Sequence, residues 1–371
     1  MNFDNCYHTI HRQTVLSLPK NEYDLISLHF GETGVVDIKN IIVIETLNNN
    51  KKLLYLVHFD AEPMDQRMIV DTVLSYTKNL KQKDIYDEVR TLFLTSDSSW
   101  NHIREFLSDY NNYTVSKKSK AICGIWYYFF HGFVALDWFR EYKFHNIDTI
   151  INNKKFDYNY ITMNRLVDGA RNYRLCLMSR LEERGLTDKA LVSYSPYTND
   201  NSLPPDELDR VLTYCTTAKR FDLQGDIIPN DSMHINVDAH LRSFLHVVTE
   251  TCYYQDFNHL TEKIFKPIVM MQPFVLASTK GGLKYLKSYG FKTFSKWIDE
   301  SYDDIEDPYR RLDAITEEIE KICALTKDEQ RVMYNEMLPI LMHNRNHFYG
   351  DFYNVLHKEM WDNFSSVLSQ T

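Results

Sequence analysis

Short apolar runs and longer amphipathic stretches alternate along the first half of this chain. YDLISLHF, NIIVIETL, KKLLYLVHF and VRTLFLTS each read as a strand, and MIVDTVLSYTKNL and SWNHIREFLSDY place apolar residues at helical spacing. The polar stretch 145–159, HNIDTIINNKKFDYN, is the candidate linker. A second series follows. YNYITMN predicts a strand, and 172–185 an amphipathic helix with Leu175, Met178 and Leu181 on one face and Gly185 as its C-cap. KALVSYS and SFLHVVTET (243–251) predict further strands. FNHLTEKIFKPIVMMQPFVLAS, from Phe257 to Ser278, reads as loop, helix and strand. TKGGLKYLKSYGF reads as a helix stopped by Gly290. DPYRRLDAITEEIEKICAL has Asp307 as N-cap, Pro308 at N1, and Leu312, Ile315, Ile319 and Ile322 on one face. YNVLHKEMWDNFSSVL is a last amphipathic helix.

This pattern predicts an α/β protein. Two Rossmann-like domains, 1–150 and 151–345, are expected to face a cleft, with a helix over 346–371 packing back toward the first. Ligands of such sheets bind outside the carboxyl ends of the strands, so the cleft is the expected site.

Composition narrows the class. The chain has 371 residues, 44% hydrophobic and 25% charged, which is a folded globular protein large enough for about two domains. A net charge of −9 argues against a general electrostatic grip on nucleic acid. Two local basic groups stand apart, Lys78, Lys81 and Lys83, and Lys117, Lys118 and Lys120; a solvated surface is the plainer reading of both. The six cysteines form no C-x-x-C pair, so neither a zinc knuckle nor a redox motif is expected. The opening MNFDNCYHTIHRQ lacks the apolar core of a signal peptide. The most apolar window, 121–139, contains His131 and Asp137 and reads as buried core rather than a membrane span. A soluble, cytoplasmic, reduced protein is expected.

One segment departs from ordinary helix chemistry. Thr261, Glu262 and Lys263 open the helix of the Phe257–Ser278 stretch. An acid suits the first turn, but a lysine opposes the helix dipole unless an anion sits there. Pro267, about one turn in, removes the bond to the Lys263 carbonyl.

Strand 243–251, Glu250, the Thr261-Glu262-Lys263 triplet and QPFVLAS together resemble the donor-binding region of α-1,3-fucosyltransferase-like, GT-B glycosyltransferases. YITMNRLVDGARNYRLCLMSRL resembles that family's strand–loop–helix bearing a diphosphate-binding arginine. Arg174 fits that role best, with Arg171 and Arg165 as competitors. The resemblance covers about residues 158–300, and Thr251 stands where the family has Asn. The run GGLKYLKSYGFKTFSKWIDESYDDIEDPYRR is closest to members encoded by large tailed phages, which would place the protein in a host cytoplasm. The resemblance implies an inverting transfer of a sugar from a UDP- or GDP-linked donor. Glu262 would hold the ribose, Lys263 and Arg174 the diphosphate, and Glu250 and Thr261 would belong to the donor site. With cations on the diphosphate and no Asp-x-Asp motif, no metal or other cofactor is expected. The acceptor's proton would pass to Glu62, or to Asp60, in LVHFDAEPM. The leading acceptor is 5-hydroxymethylcytosine in phage double-stranded DNA, with Lys117, Lys118 and Lys120 on its phosphates. A glycan acceptor and a non-catalytic nucleotide-sugar-binding protein are the alternatives.

Two other constellations have cheaper explanations. His343 and His347 stand at i, i+4 and could hold a metal, but no catalytic Glu accompanies them. The acids Asp299, Glu300, Asp303, Asp304, Glu306 and Asp307 suit helix capping.

Overall fold

Continuous apolar runs with no alternation belong to parallel strands covered on both faces. SFLHVVT and FVLA are buried along their whole length. The structure, a computed structural model, describes residues 129–198, 202–220 and 232–363 in full, together with the backbone of 364–369 and of four strands nearer the start. These strands, β1 (Tyr23–His29), β2 (Lys52–Phe59), β3 (Val89–Thr95) and β4 (Ile122–Tyr127), form a parallel sheet in the order β1-β2-β3-β4. The expected strand NIIVIETL and the helices MIVDTVLSYTKNL and SWNHIREFLSDY lie outside the described residues.

The chain divides into two compact units, Met1–Val134 with Asn354–Thr371, and Ala135–Tyr353. The apolar window 121–139 is two elements, β4 and helix α1 (Phe130–Trp138). Among the described residues no helix is long and apolar enough to cross a membrane. The expected linker 145–159 is structured. It holds α2 (Ile147–Asn152), capped by the Asn146 side chain, and it enters the strand β5 (Tyr158–Asn164).

The second unit is built on a parallel sheet in the order β6-β5-β7-β8, with β6 (Leu191–Tyr194), β7 (Ser243–Thr249) and β8 (Phe274–Ala277). The chain adds β6 on one side of β5 and then β7 on the other, so a topological switch point lies between β5 and β7. Helix α3 (Tyr173–Glu183) follows β5. Its burial corrects the expectation of an amphipathic helix: every residue from Tyr173 to Leu181 is buried. The polar members are buried because α4 (Pro205–Tyr214) and α8 (Pro308–Cys323) cover the outer face. There Arg180 meets both Glu207 oxygens at 2.6 Å and Asp313 Oδ1 at 2.6 Å. Gly185 closes the helix at φ 65°. Asp307 caps α8 through the Tyr309 and Arg310 amides, as the Asp-Pro pair predicts. Helix α9 (Lys327–Tyr349) opens with a capping box between Thr326 and Glu329, and α10 (Phe352–Ser369) ends the chain.

A cluster of basic side chains is buried at the amino ends of β5 and β7. His240, in α5 (Val237–Arg242), donates from Nδ1 to Gln272 Oε1 at 2.6 Å. Gln272 spends its amide nitrogen on Ser243, so its oxygen is the acceptor and His240 carries its proton on Nδ1. Lys154 Nζ donates to the His240 carbonyl at 2.9 Å. His246 packs edge-on against His240, and Lys266 reaches the His234 carbonyl at 2.9 Å. Burial, reinforced by Lys154, holds His240 down to about 3. Burial, reinforced by Arg331, holds Lys154 down to about 7. Burial, followed by His240 and Lys266, keeps His246 well below the usual imidazole range.

Candidate functional site

At the switch point the carboxyl ends of the strands are tied to one another. Thr249 Oγ1, ending β7, donates to Asn164 Oδ1, ending β5, at 2.6 Å. Arg174 donates from one terminal nitrogen to the Leu166 carbonyl at 2.7 Å. From the other it donates to the carbonyls of Thr249 at 3.1 Å and Glu250 at 2.9 Å. The Tyr173 hydroxyl lies 2.5 Å from the Glu250 carbonyl oxygen and 3.3 Å from that of Ala277, at the end of β8. Both terminal nitrogens of Arg174 thus serve backbone carbonyls, and the side chain is 4% exposed. Arg171, half-buried, ends a one-turn 3-10 helix over Gly169–Arg171, and Arg165 is exposed in the loop after β5.

The triplet opens α6 (Glu262–Val269) with Thr261 as N-cap. Strand β7 runs directly into Glu250, which is fully buried and accepts from the Thr261 amide at 3.2 Å and the Thr261 hydroxyl at 2.6 Å. Burial pushes its carboxyl above the usual range, against the pull of Lys263 and Thr261. Lys263 turns back over the helix start, 2.9 Å from Thr261 Oγ1 and 3.2 Å from Glu262 Oε1. The anion that a lysine in a first turn calls for is therefore already present, as Glu262 beside it and Glu250 beneath. The Lys263 side chain remains 30% exposed, against 6% for Glu262.

Beyond the ends of β7 and β8 opens a cavity of about 620 Å³, lined among others by Tyr254, Asn258, Lys280, Lys284, Tyr285 and Arg311. Asn258 precedes Thr261 by three residues and accepts from Thr279 Oγ1 at 3.1 Å, joining the two loops. Lys280 is paired with Glu306. Arg311 donates to the carbonyls of Ile305 at 2.6 Å and Tyr253 at 2.8 Å. The helix on the cavity wall, α7 (Gly282–Ser288), offers no open amides to a ligand at its start. Asp303 accepts from the Leu283 amide at 2.9 Å and the Lys284 amide at 3.1 Å, and burial raises its carboxyl. A Cβ at Gly282 would meet Ser278 Oγ at 2.0 Å, so the serine hydroxyl would have to move.

Asp299, Glu300, His343 and His347 have structural partners. Asp299 caps the turn that follows it through the Ser301 amide, and Glu300 accepts from the Phe294 amide at 2.6 Å and from Thr293 and Lys287. His343 and His347 each direct Nε2 at a carbonyl past the end of α7, Gly290 at 3.0 Å and Tyr289 at 2.7 Å. Among the described residues no group of three or more His, Cys, Asp or Glu is placed to hold a metal ion.

The structure thus brings Arg174, Glu250, Thr261, Glu262 and Lys263 together at the strand ends. Asp60, Glu62, Lys78, Lys81, Lys83, Lys117, Lys118 and Lys120 lie outside the described residues. Sequence reasoning missed Tyr173 and Asn164, and it named Asp303 as a capping acid without the helix it caps. A polar residue ending an apolar strand is a signal that would have found Asn164; Asp303 acts on a helix 20 residues upstream and leaves no local trace.

No protein-family model matches the chain, and no curated protein matches it. Among solved structures it is similar to an α,α-trehalose-6-phosphate synthase from Burkholderia multivorans, at 11% identity and a TM-score of 0.41, over 100% of this chain and 78% of that one. The N-terminal domain of Candida albicans trehalose-6-phosphate phosphatase is similar at 11% identity and 0.44, over 99% and 76%. A UDP-forming α,α-trehalose-phosphate synthase from Burkholderia xenovorans, in complex with glucose-6-phosphate, is similar at 11% and 0.41, over 97% and 79%.

Proposed function

We propose that this protein is a GT-B glycosyltransferase that takes a sugar from a nucleotide-diphosphate donor seated past the carboxyl ends of β7 and β8. The observation that carries this reading is the cluster at the start of α6. A half-buried lysine, Lys263, stands on a buried acid–hydroxyl pair at the end of a central parallel strand, and a cavity of about 620 Å³ opens beyond the ends of β7 and β8. In the reaction the bond between the anomeric carbon and the diphosphate oxygen breaks as the acceptor oxygen attacks from the opposite face, inverting the centre. Lys263, with Arg171 and Arg165 in the neighbouring loop, would offset the charge that develops on the diphosphate. Glu262 would accept from the ribose diol. The acceptor's proton would pass to Glu62, or to Asp60, after β2. Arg174 would serve the donor by holding the strand ends. No metal is required by this scheme.

For the acceptor, the phage-like resemblance favours 5-hydroxymethylcytosine in double-stranded DNA, with Lys117, Lys118 and Lys120 on phosphates; a glycan hydroxyl is the alternative. Thermal shift with UDP, GDP and their sugars tests the donor site. Stabilisation by at least one of them is expected, and none by any of them overturns the reading. Nucleoside mass spectrometry after incubation with hydroxymethylcytosine DNA separates the acceptors. Nucleotide binding without transfer to DNA or glycan would mark a non-catalytic binding protein.

A further inference from the structure

The start of α6 holds a directed chain of hydrogen bonds. Lys263 Nζ donates to Thr261 Oγ1 at 2.9 Å, and the Thr261 hydroxyl donates onward to Glu250 Oε2 at 2.6 Å. With Glu250 ionised, the direction follows from the groups. An ammonium only donates, an ionised carboxylate only accepts, and a hydroxyl between them accepts from one and donates to the other. The Thr261 amide holds the second carboxylate oxygen at 3.2 Å. Glu250 has no exposure and Thr261 has 2%, so neither is open to a dissolved ligand, whereas the Lys263 side chain is 30% exposed. The backbone of Glu250 is fixed on both sides, its amide on the Ala277 carbonyl at 2.9 Å and its carbonyl on Tyr173 and Arg174. A carboxylate with a rigid backbone and both oxygens engaged is a fixed reference point for whatever hangs from it.

We propose that Glu250 and Thr261 are positioning residues, which aim the Lys263 ammonium at an anionic, diphosphate-bearing ligand that neither of them touches. This rests on the nucleotide-diphosphate reading above, and it gives Glu250 a role other than the donor contact that the family resemblance implies. It also explains a buried acid at the end of a strand that is buried along its whole length. An unpaired carboxylate there is costly, and its charge is answered only through Thr261 and Lys263.

The test uses the full chain and three variants. Thr261→Val keeps the shape and the amide bond to Glu250 but removes the hydroxyl. Thr261→Ser restores it. Glu250→Gln keeps the shape and removes the charge. One readout needs no ligand: the ¹⁵N signal of the Lys263 ammonium, identified by its loss in Lys263→Arg. The other is the affinity for UDP and GDP by calorimetry, with melting curves as the check on folding. The ammonium signal is expected to be protected from exchange in the wild type, lost in Thr261→Val and Glu250→Gln, and restored in Thr261→Ser. Affinity for the nucleotide that binds should fall about tenfold in Thr261→Val, as for one misdirected charge-assisted contact, and return with Ser. An ammonium signal unmoved by both Thr261→Val and Glu250→Gln overturns the relay. Affinity lost in Glu250→Gln but kept in Thr261→Val overturns it too, because Glu250 would then act on the ligand directly. If Thr261→Val does not fold, Glu250→Gln and Thr261→Ser carry the same comparison. A wild type that binds neither nucleotide while its ammonium responds as expected overturns the diphosphate assignment and the functional reading together, and leaves only the relay geometry.

Discussion

Removing Arg174 separates a clamp from a ligand-binding cation. Arg174→Ala deletes three hydrogen bonds, to the carbonyls of Leu166, Thr249 and Glu250, from a side chain that is 4% exposed. At about 1 kcal/mol net for each bond, the loss is about 3 kcal/mol. For a unit of this size that lowers the melting temperature by on the order of 10 °C. The loss appears with no nucleotide present, because the bonds are internal. Arg174→Lys retains the charge but not the planar fork, so it should recover no more than about 1 kcal/mol of the loss. The assay is calorimetric melting of the three proteins in nucleotide-free buffer, followed by UDP and GDP titration below the lower melting point. Unchanged melting in Arg174→Ala together with abolished nucleotide affinity would refute the clamp and return Arg174 to the diphosphate.

Two further outcomes follow from packing and proton linkage. Gly282→Ala should destabilise by about 2 kcal/mol through the clash with Ser278 Oγ, and adding Ser278→Ala should restore most of it; chemical denaturation of both variants checks this. His240 is held at about 3 when folded, against 6.5 ordinarily, so its contribution to stability is complete above about 6.5 and is lost as pH falls toward 3. Lys154, held at about 7, binds its proton more weakly when folded, so the stability it contributes rises with pH between about 7 and 10.5. Lys154→Met should therefore flatten the rise in melting temperature above pH 7, and an unaltered pH profile would refute the burial argument.

The strands of the second unit were legible because burial on both faces leaves no regular polar alternation, as in Ser243–Thr249 and Phe274–Ala277. Helix α8 was legible because Asp307 and Pro308 act on their own neighbours. The triplet was found for a related reason: a lysine in a first turn is a local contradiction. What resolved that contradiction was only partly local: Glu262 is the adjacent residue, but Glu250 lies 13 residues upstream across a loop. Arg174 was picked out by the family resemblance, yet two of its three carbonyl partners are 75 and 76 residues away and depend on β7 lying beside β5. That neighbour order is a property of the sheet, which periodicity does not encode. The all-round burial of α3 was hidden likewise, because the helices that cover Arg180 come from two distant segments.

Two buried carboxyls and three buried bases of the second unit stand toward different ends of its strands. Glu250 and Asp303, with carboxyls raised by burial, lie near the carboxyl ends. His240, His246 and Lys154, with affinities for protons lowered by burial, lie near the amino ends. Acidification therefore loads the two ends of the same four strands in opposite senses, relaxing one while charging the other. Amide exchange in acid is therefore expected to begin at the end away from the cavity and to reach the strand-end clamp last, and exchange that begins at the clamp would refute this.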